Sequence, residues 1–229
     1  MVKFAMNASL ETLPLADNLK RRGKRASDLC MVCGGNGKQT LHHILSSCSS
    51  ALTQGRYTWR HDSVLKTLFN FIEGKLQEGF VIFADLAGKD AGGGHVVPPD
   101  ILATSQRPDI VVVDRPNRKI FIFELTCPHD TNIVTAHYFK TGKYASLVND
   151  LVALGFKVDL FCVEISVRGQ VSKANRARLK SFLLKITGLR RGASVDLISK
   201  MSKSSLLGSF SLFCARNEAT WQMDNAITL

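Results

Sequence analysis

The sequence lacks membrane spans, a secretory signal and internal repeats. No apolar run approaches the length of a bilayer-spanning helix, so we expect no membrane partner. The N-terminal residues do not have the basic-then-apolar order of a secretory signal, so we expect an intracellular protein. The 229 residues, 45% of them hydrophobic, are enough for one packed domain or for one domain with a small appendage.

Acidic side chains are scarce at both ends of the chain. The sequence has 30 Lys and Arg residues against 19 Asp and Glu, a formal net charge of +11. Residues 165–203 carry ten basic side chains and one acidic, and residues 1–60 carry nine and three, whereas residues 61–164 are nearly neutral. Such cationic flanks favour nucleic acid as a partner, with a solvated basic surface as the alternative. The cluster KRRGKR at 20–25 is either a nuclear-import signal, a phosphate-binding arm or a solvated tail, and we expect a nuclear protein.

Hydrophobic periodicity predicts an α/β fold. We expect a helix over 61–79, strands over 80–86, 110–114 and 119–125, a helix over 131–155, a strand over 156–165, and helices over 171–188 and 195–213. Residues 1–28 have no clear periodicity and are predicted to be irregular. The central order of helix, three strands, helix and strand predicts a small mixed sheet covered by helices.

Three of the six cysteines lie within nineteen residues of one another. With His43, the residues Cys30, Cys33 and Cys48 form the pattern C-x2-C-x9-H-x4-C. Two thiolates separated by two residues can share a metal ion across a tight turn, and a closed set of four ligands predicts a structural zinc site. His42 is the weaker candidate for the histidine ligand, and ordinary free thiols are the alternative to a metal site.

Two carboxylates flank the strands predicted in RPDIVVVDRPNRKIFIFELTCP. Asp109 precedes the first strand and Glu124 lies near the end of the second, and the turn between these strands makes them antiparallel. Charges in such apolar surroundings are costly unless something pairs with them. Carboxylate oxygens are hard ligands that suit Mg²⁺, so the pair predicts a metal site at one edge of the sheet.

Five short motifs follow one another along the chain. They are TLHHILSSC (40–48), YTWRHDSVL (57–65), RPDIVVVD (107–114), FELTCPHD (123–130) and KTGKY (140–144). In this order they resemble the restriction-like endonuclease domain of site-specific non-LTR retrotransposon polyproteins, which has a PD-(D/E)xK core and a preceding zinc knuckle. The likeness runs from about residue 28 to residue 215.

The resemblance implies a Mg²⁺-dependent enzyme that nicks target DNA, with Mn²⁺ as a substitute metal and Zn²⁺ in the knuckle. Double-stranded DNA is the implied partner, element RNA is a second candidate, and a reverse transcriptase domain is expected if this chain is part of a polyprotein. The implied organisation is a basic segment at 1–27, a knuckle at 28–58, a nuclease core at 59–166 and a basic helical extension at 167–229.

The sequence departs from the basic superfamily pattern at Thr126, where a lysine is expected. In the retrotransposon group the following helix typically supplies this lysine, and here that helix offers Lys140 and Lys143. Lys140 falls in the predicted apolar row of the helix, where an ammonium group is costly unless it has a partner. We therefore place Lys140 slightly ahead of Lys143, with snorkelling to solvent as the alternative for both.

Further basic and aromatic residues are candidates for contacts with nucleic acid. Arg60 and His61 match the family's Arg-His pair, with contact to phosphate or bracing of the site as the two roles considered. The full candidate set is Arg60, His61, Tyr144, Arg176, Arg178, Lys180, Arg190 and Arg191. A catalytically inactive nucleic-acid-binding module from the same kind of element is the alternative function.

Overall fold

The core of the protein is a mixed four-stranded sheet. The computed structural model describes residues 2–189 and 192–221. The strands lie in the order β1-β2-β3-β4, with antiparallel pairing of the first three and parallel pairing of β3 with β4. Their bounds are β1 Phe80–Ala84, β2 Ile110–Asp114, β3 Lys119–Thr126 and β4 Lys157–Glu164. The α/β class and the central order of elements are therefore as predicted.

Helices surround this sheet and continue at both ends of the chain. They are α1 Val2–Ser9, α2 Ala16–Arg21, α3 Ser49–Thr53, α4 Arg56–Glu73, α5 Ile133–Lys143, α6 Ala145–Ala153, α7 Lys173–Thr187 and α8 Gly192–Cys214. A π-helical turn spans His43–Ser47 and a 3₁₀ turn spans Asp130–Asn132. No helix in the described part of the chain is long and apolar enough to cross a membrane.

Two predicted helices differ most from those in the structure. Helix α4 begins five residues before the predicted start, directly after Gly55, whose φ of 71° ends the preceding turn. It ends at Glu73 rather than near Gly79. The helix predicted over 131–155 is broken at Tyr144 into α5 and α6, and the buried apolar row begins only at Tyr144 because no residue of α5 is buried.

The N-terminal segment is also helical, contrary to the predicted irregular structure. Its apolar residues Phe4, Leu13 and Leu15 are buried in a core that includes the cysteines and the end of α8. Local periodicity is weak in such short helices, and tertiary packing supplies most of their stability. The N-terminus, the cysteine-rich segment and the C-terminal helix therefore share one core.

The two faces of the sheet are covered by different helices. One face packs Phe121, Phe123 and Leu125 of β3 against α4, α7 and α8. The other packs Ile120 and Ile122 against the apolar side of α6. Because side chains alternate along a strand, Glu124 lies on the second face, on the α5 and α6 side.

Candidate active site and metal centre

The four predicted zinc ligands come together in the structure. One ligand atom from each of Cys30, Cys33, His43 and Cys48 lies within 4.8 Å of all the others. The three cysteines are buried, and Cys33 Sγ is 3.5 Å from His43 Nε2. Three sulfur donors and one nitrogen donor at this spacing fit a closed tetrahedral zinc site.

Glycine allows the loop between the second cysteine and the histidine to close. A Cβ atom on Gly37 would lie 2.9 Å from the His43 ring, so only glycine lets the ring approach the thiols. Gly34 and Gly35 have φ values of 62° and 92°, in the region that favours glycine. The Cys30 amide donates to the Gly37 carbonyl at 2.8 Å and closes the loop.

The structure favours His43 over His42 as the histidine ligand. The His42 ring has other partners than the thiols, with Nδ1 3.2 Å from Ser47 Oγ and an edge-to-face contact with the His129 ring at 4.6 Å between centroids. Burial lowers the pKa of His43, which favours the neutral ligand form. Burial also raises the pKa of the Cys30 thiol to about 11, so its thiolate form requires a nearby positive charge such as a metal ion.

The predicted carboxylates meet in a cleft of about 480 Å³ at one edge of the sheet. Pairing of Ile110 with Phe123 brings the start of β2 beside the end of β3. Asp109 is 7% exposed and Glu124 is 2% exposed. Glu124 Oε2 accepts a hydrogen bond from the Asp109 amide at 3.2 Å, and Asp109 Oδ2 accepts one from the Leu125 amide at 2.6 Å. The backbone thus fixes both carboxylates relative to each other.

Lys140 completes this arrangement from the following helix. Its ammonium contacts Glu124 Oε1 directly, across 16 residues of sequence. Lys143 lines the same cleft, but its ammonium bonds to the Tyr144 hydroxyl at 2.9 Å and lies over the Tyr144 ring. The structure therefore brings Lys140, and not Lys143, into contact with the acidic pair.

His61, which was predicted to contact nucleic acid or to brace the site, lies inside the cleft. Its Nε2 is 3.2 Å from Asp109 Oδ2 and 3.3 Å from the Leu125 carbonyl oxygen. Burial lowers the pKa of His61, but the charge of Asp109 and its hydrogen bond outweigh burial, and the pKa is raised well above the usual value. His61 therefore belongs to the acidic site.

Burial of the acidic pair makes the negative charge on Glu124 costly. Burial raises the pKa of Glu124, the negative charge of Asp109 raises it further, and Lys140 offsets part of the change. Across the described residues, the cysteine cluster is the one group of three or more His, Cys, Asp or Glu side chains placed closely enough to hold a metal ion. The acidic pair offers oxygen donors only, together with the nearby Leu125 carbonyl, and such donors suit Mg²⁺.

Of the two roles considered for Arg60, the structure supports bracing. Arg60 is buried, and its guanidinium donates to the carbonyls of Leu45 and Cys127 and to Ser209 Oγ, at 2.9 to 3.3 Å. Its stem packs so closely on Gly208 that a Cβ there would lie 2.6 Å from Arg60 Cγ. In this position Arg60 joins the cysteine-rich segment to the residue just beyond β3.

Tyr144 is likewise buried, which contradicts its predicted contact with nucleic acid. Its hydroxyl donates to the Arg107 carbonyl at 2.9 Å and so ties the break between α5 and α6 to the segment before Asp109. The predicted basic residues on α7 are at the surface or near it. Arg176 and Lys180 are exposed, and Arg178 is half-buried and 3.8 Å from Glu164. Arg190 and Arg191 lie outside the described residues.

Two pairs near the cleft were missed by the sequence analysis. Arg107 forms an ion pair with Asp85 at the mouth of the cleft. His137, one turn before Lys140, lies 3.0 Å from the buried carboxylate of Glu164 at the end of β4. The position of Arg107 directly before Pro108-Asp109 could have indicated that it lies near the site. The pairing of His137 with Glu164 could not be read from the sequence.

Comparisons with known proteins give a distant likeness. No protein-family model matches the chain. No curated protein matches it. Among solved structures, the chain is similar to an N-terminal domain of a reptarenavirus L protein, with 15% identity and a TM-score of 0.36, over 89% of this chain and 92% of that chain. The function proposed below therefore rests on the cleft itself, and the resemblance to the retrotransposon family stays a prediction.

Proposed function

We propose that this protein is a metal-dependent DNA endonuclease. One observation carries the proposal: in a cleft open to solvent, the buried carboxylate of Glu124 contacts the Lys140 ammonium and accepts a hydrogen bond from the Asp109 amide. The two buried carboxylates supply hard oxygen donors of the kind that divalent cations prefer, and the Lys140 ammonium stands beside them. The same three groups suit the hydrolysis of a phosphodiester, whose transition state gains negative charge.

The residues have distinct roles in this proposal. Asp109, Glu124 and the Leu125 carbonyl oxygen would hold Mg²⁺, or Mn²⁺ in its place. When bound, the ion supplies Lewis-acid catalysis and a water molecule of lowered pKa. Lys140 holds a positive charge beside Glu124, where it can orient a water molecule or stabilise the charge on phosphate. His61 holds Asp109 in place through its hydrogen bond.

The cationic surface supports DNA as the substrate. Lys143 lies at the cleft, and Arg176 and Lys180 on α7 are exposed. Exposed cations of this kind bind phosphates without reading the sequence, and their binding weakens steeply as salt increases. We expect DNA affinity to fall by orders of magnitude between low and moderate salt.

The order of the five motifs supports a narrower proposal. We infer that the domain is the restriction-like endonuclease of a non-LTR retrotransposon, with the cysteine cluster as its zinc knuckle. In that setting the enzyme nicks target DNA in the nucleus, and a reverse transcriptase domain is its partner. Element RNA is a second candidate ligand.

Plasmid nicking with Mg²⁺ tests the proposal. We expect the wild-type protein to nick supercoiled plasmid, and Asp109→Ala and Glu124→Ala to be inactive. Asp150→Ala is the matched control because Asp150 is an exposed carboxylate on α6 that does not line the cleft. Equal nicking by all four proteins would refute the assignment.

A nucleic-acid-binding module without cleavage is the second candidate function. It is favoured by one observation, that Asp109 Oδ2 already bonds to the Leu125 amide and to His61 Nε2 within the protein itself. Calorimetric titration with Mg²⁺ discriminates the two. A nuclease binds Mg²⁺ in a manner abolished by Asp109→Ala, whereas the module binds DNA and shows no such heat.

A further inference from the structure

Helix α5 presents aromatic rings to solvent beside the cleft. Tyr138 is 72% exposed and Phe139 is 68% exposed, and Val134 one turn earlier is also exposed. None of the eleven residues of α5 is buried. Single exposed apolar residues are common, but adjacent exposed rings on one short helix are characteristic of a contact surface.

Helix geometry places Phe139 on the side of α5 that carries Lys143. Phe139 and Lys143 are four residues apart and therefore lie one above the other on one side of α5. Lys143 lines the cleft that contains Asp109 and Glu124. Lys140 directly follows Phe139 and contacts Glu124. A ligand held against Phe139 is therefore next to the acidic pair.

The charge of this helix identifies the class of ligand. Helix α5 contains two lysines and no acidic residue. Lys140 is paired with Glu124, whereas the Lys143 ammonium bonds to the uncharged phenol of Tyr144. Aromatic faces alternating with cations form the surface on which single-stranded nucleic acids bind, with bases on the rings and phosphates on the lysines.

We propose that Tyr138 and Phe139 form a stacking platform for an unpaired base of the DNA beside the scissile phosphate. A base inside a duplex has both faces covered by its neighbours, so an exposed ring can stack only on a base that is unpaired or turned out. The preferred substrate is therefore DNA with an unpaired base next to the cleft. This inference rests on the proposed nuclease function, and it adds the substrate class.

Binding experiments without divalent metal test the platform separately from cleavage. The probes are a labelled single strand, the same strand in a full duplex, and the duplex with an unpaired stretch. We expect tighter binding to the first and third probes, and a loss of about tenfold per ring with Tyr138→Leu or Phe139→Leu. Tyr138→Phe and Phe139→Tyr should retain affinity, because both variants keep the aromatic face. The leucine variants keep an apolar side chain and lose that face.

A spectroscopic signal and two control variants complete the test. With 2-aminopurine at the unpaired position, stacking should quench the fluorescence with wild-type protein and not with the leucine variants. Val152→Ala and Leu184→Ala remove exposed apolar side chains that do not line the cleft, and should bind as wild type.

Equal affinity of the leucine and wild-type proteins for all three probes would overturn the proposal. So would sedimentation showing that the rings instead hold two copies of the chain together, with DNA binding unchanged by the leucine variants. If the wild-type protein nicks plasmid but the rings do not affect binding, the platform fails and the nuclease stands. If the rings control binding and nothing is nicked, the platform stands and the nuclease fails.

Discussion

The cysteine cluster and the acidic cleft are the two candidate metal sites, and they are built in opposite ways. The cluster takes all four ligands from nineteen residues, buries three of them and gathers their atoms within 4.8 Å. The cleft takes its groups from α4, β3, α5 and the residue before β2, and it is open to solvent. A closed set of ligands stabilises a fold, whereas an open pair leaves room for water and substrate. Disrupting the first should unfold the protein, and disrupting the second should leave a folded, inactive protein.

The largest expected effect is the loss of zinc. Cys33→Ser removes one ligand from the cluster, whose neighbours Leu45 and Phe213 form the core shared by both ends of the chain. Structural zinc contributes roughly 10 kcal/mol or more in small zinc domains, which is comparable with the whole stability of a domain. We expect loss of bound zinc and a collapse of the thermal transition, measured by metal analysis and calorimetry. Cys214→Ser, at an exposed free thiol, is the control. If the Cys33→Ser protein had the zinc content and melting temperature of the wild type, Cys33 would be an ordinary thiol and not a zinc ligand.

The next effect separates activity from stability in the cleft. Glu124→Gln keeps the shape of the side chain and removes its charge, so we expect nicking to fall by ~10³-fold or more while the protein stays folded. Because the pKa of Glu124 is raised in the folded state, wild-type stability should fall as pH rises above about 4.5 without divalent metal. The glutamine variant has no carboxylate at this position to titrate. The difference in melting temperature between the two proteins, measured as a function of pH, therefore gives the contribution of Glu124. Unchanged nicking would contradict the role of Glu124.

The same contrast explains how much the sequence could predict. The cluster was predicted ligand by ligand because its residues are close in sequence, and the structure supports the preference for His43 over His42. Asp109 and Glu124 could be paired because a short turn joins their strands. The positions of His61 and Glu164 depend on how α4 and β4 pack on the sheet, which local pattern does not encode. Tyr144, at which the predicted helix is broken, bonds to the Arg107 carbonyl, which is distant in sequence.

A smaller effect distinguishes the two lysines of α5. Lys140→Met removes the ammonium that contacts Glu124 and leaves that buried carboxylate without its cation. We expect nicking to fall by ~10²-fold. Lys143→Met removes a cation whose ammonium bonds to the Tyr144 hydroxyl, so we expect less than about a tenfold loss, mostly through weaker DNA binding. Single-turnover rates at saturating DNA separate the two effects. A larger loss from Lys143→Met would reverse the assignment.

The smallest effect concerns Arg60, the side chain that connects the two sites. Its guanidinium bonds to Leu45 in the cysteine-rich segment and to Cys127 just beyond β3. Arg60→Met leaves these buried carbonyls without that donor and should cost roughly 2–3 kcal/mol of unfolding free energy, whereas Lys66→Met on the exposed side of the same helix should cost little. Coupling is measured by comparing the effect of zinc chelation on nicking in the wild type and in Arg60→Met. If the cleft depends on the cluster through the Arg60 hydrogen bonds, chelation should lower nicking less in the variant than in the wild type, because the variant already lacks these bonds. Equal effects in both proteins would mean that the cluster supports the cleft through the shared core around α8 instead.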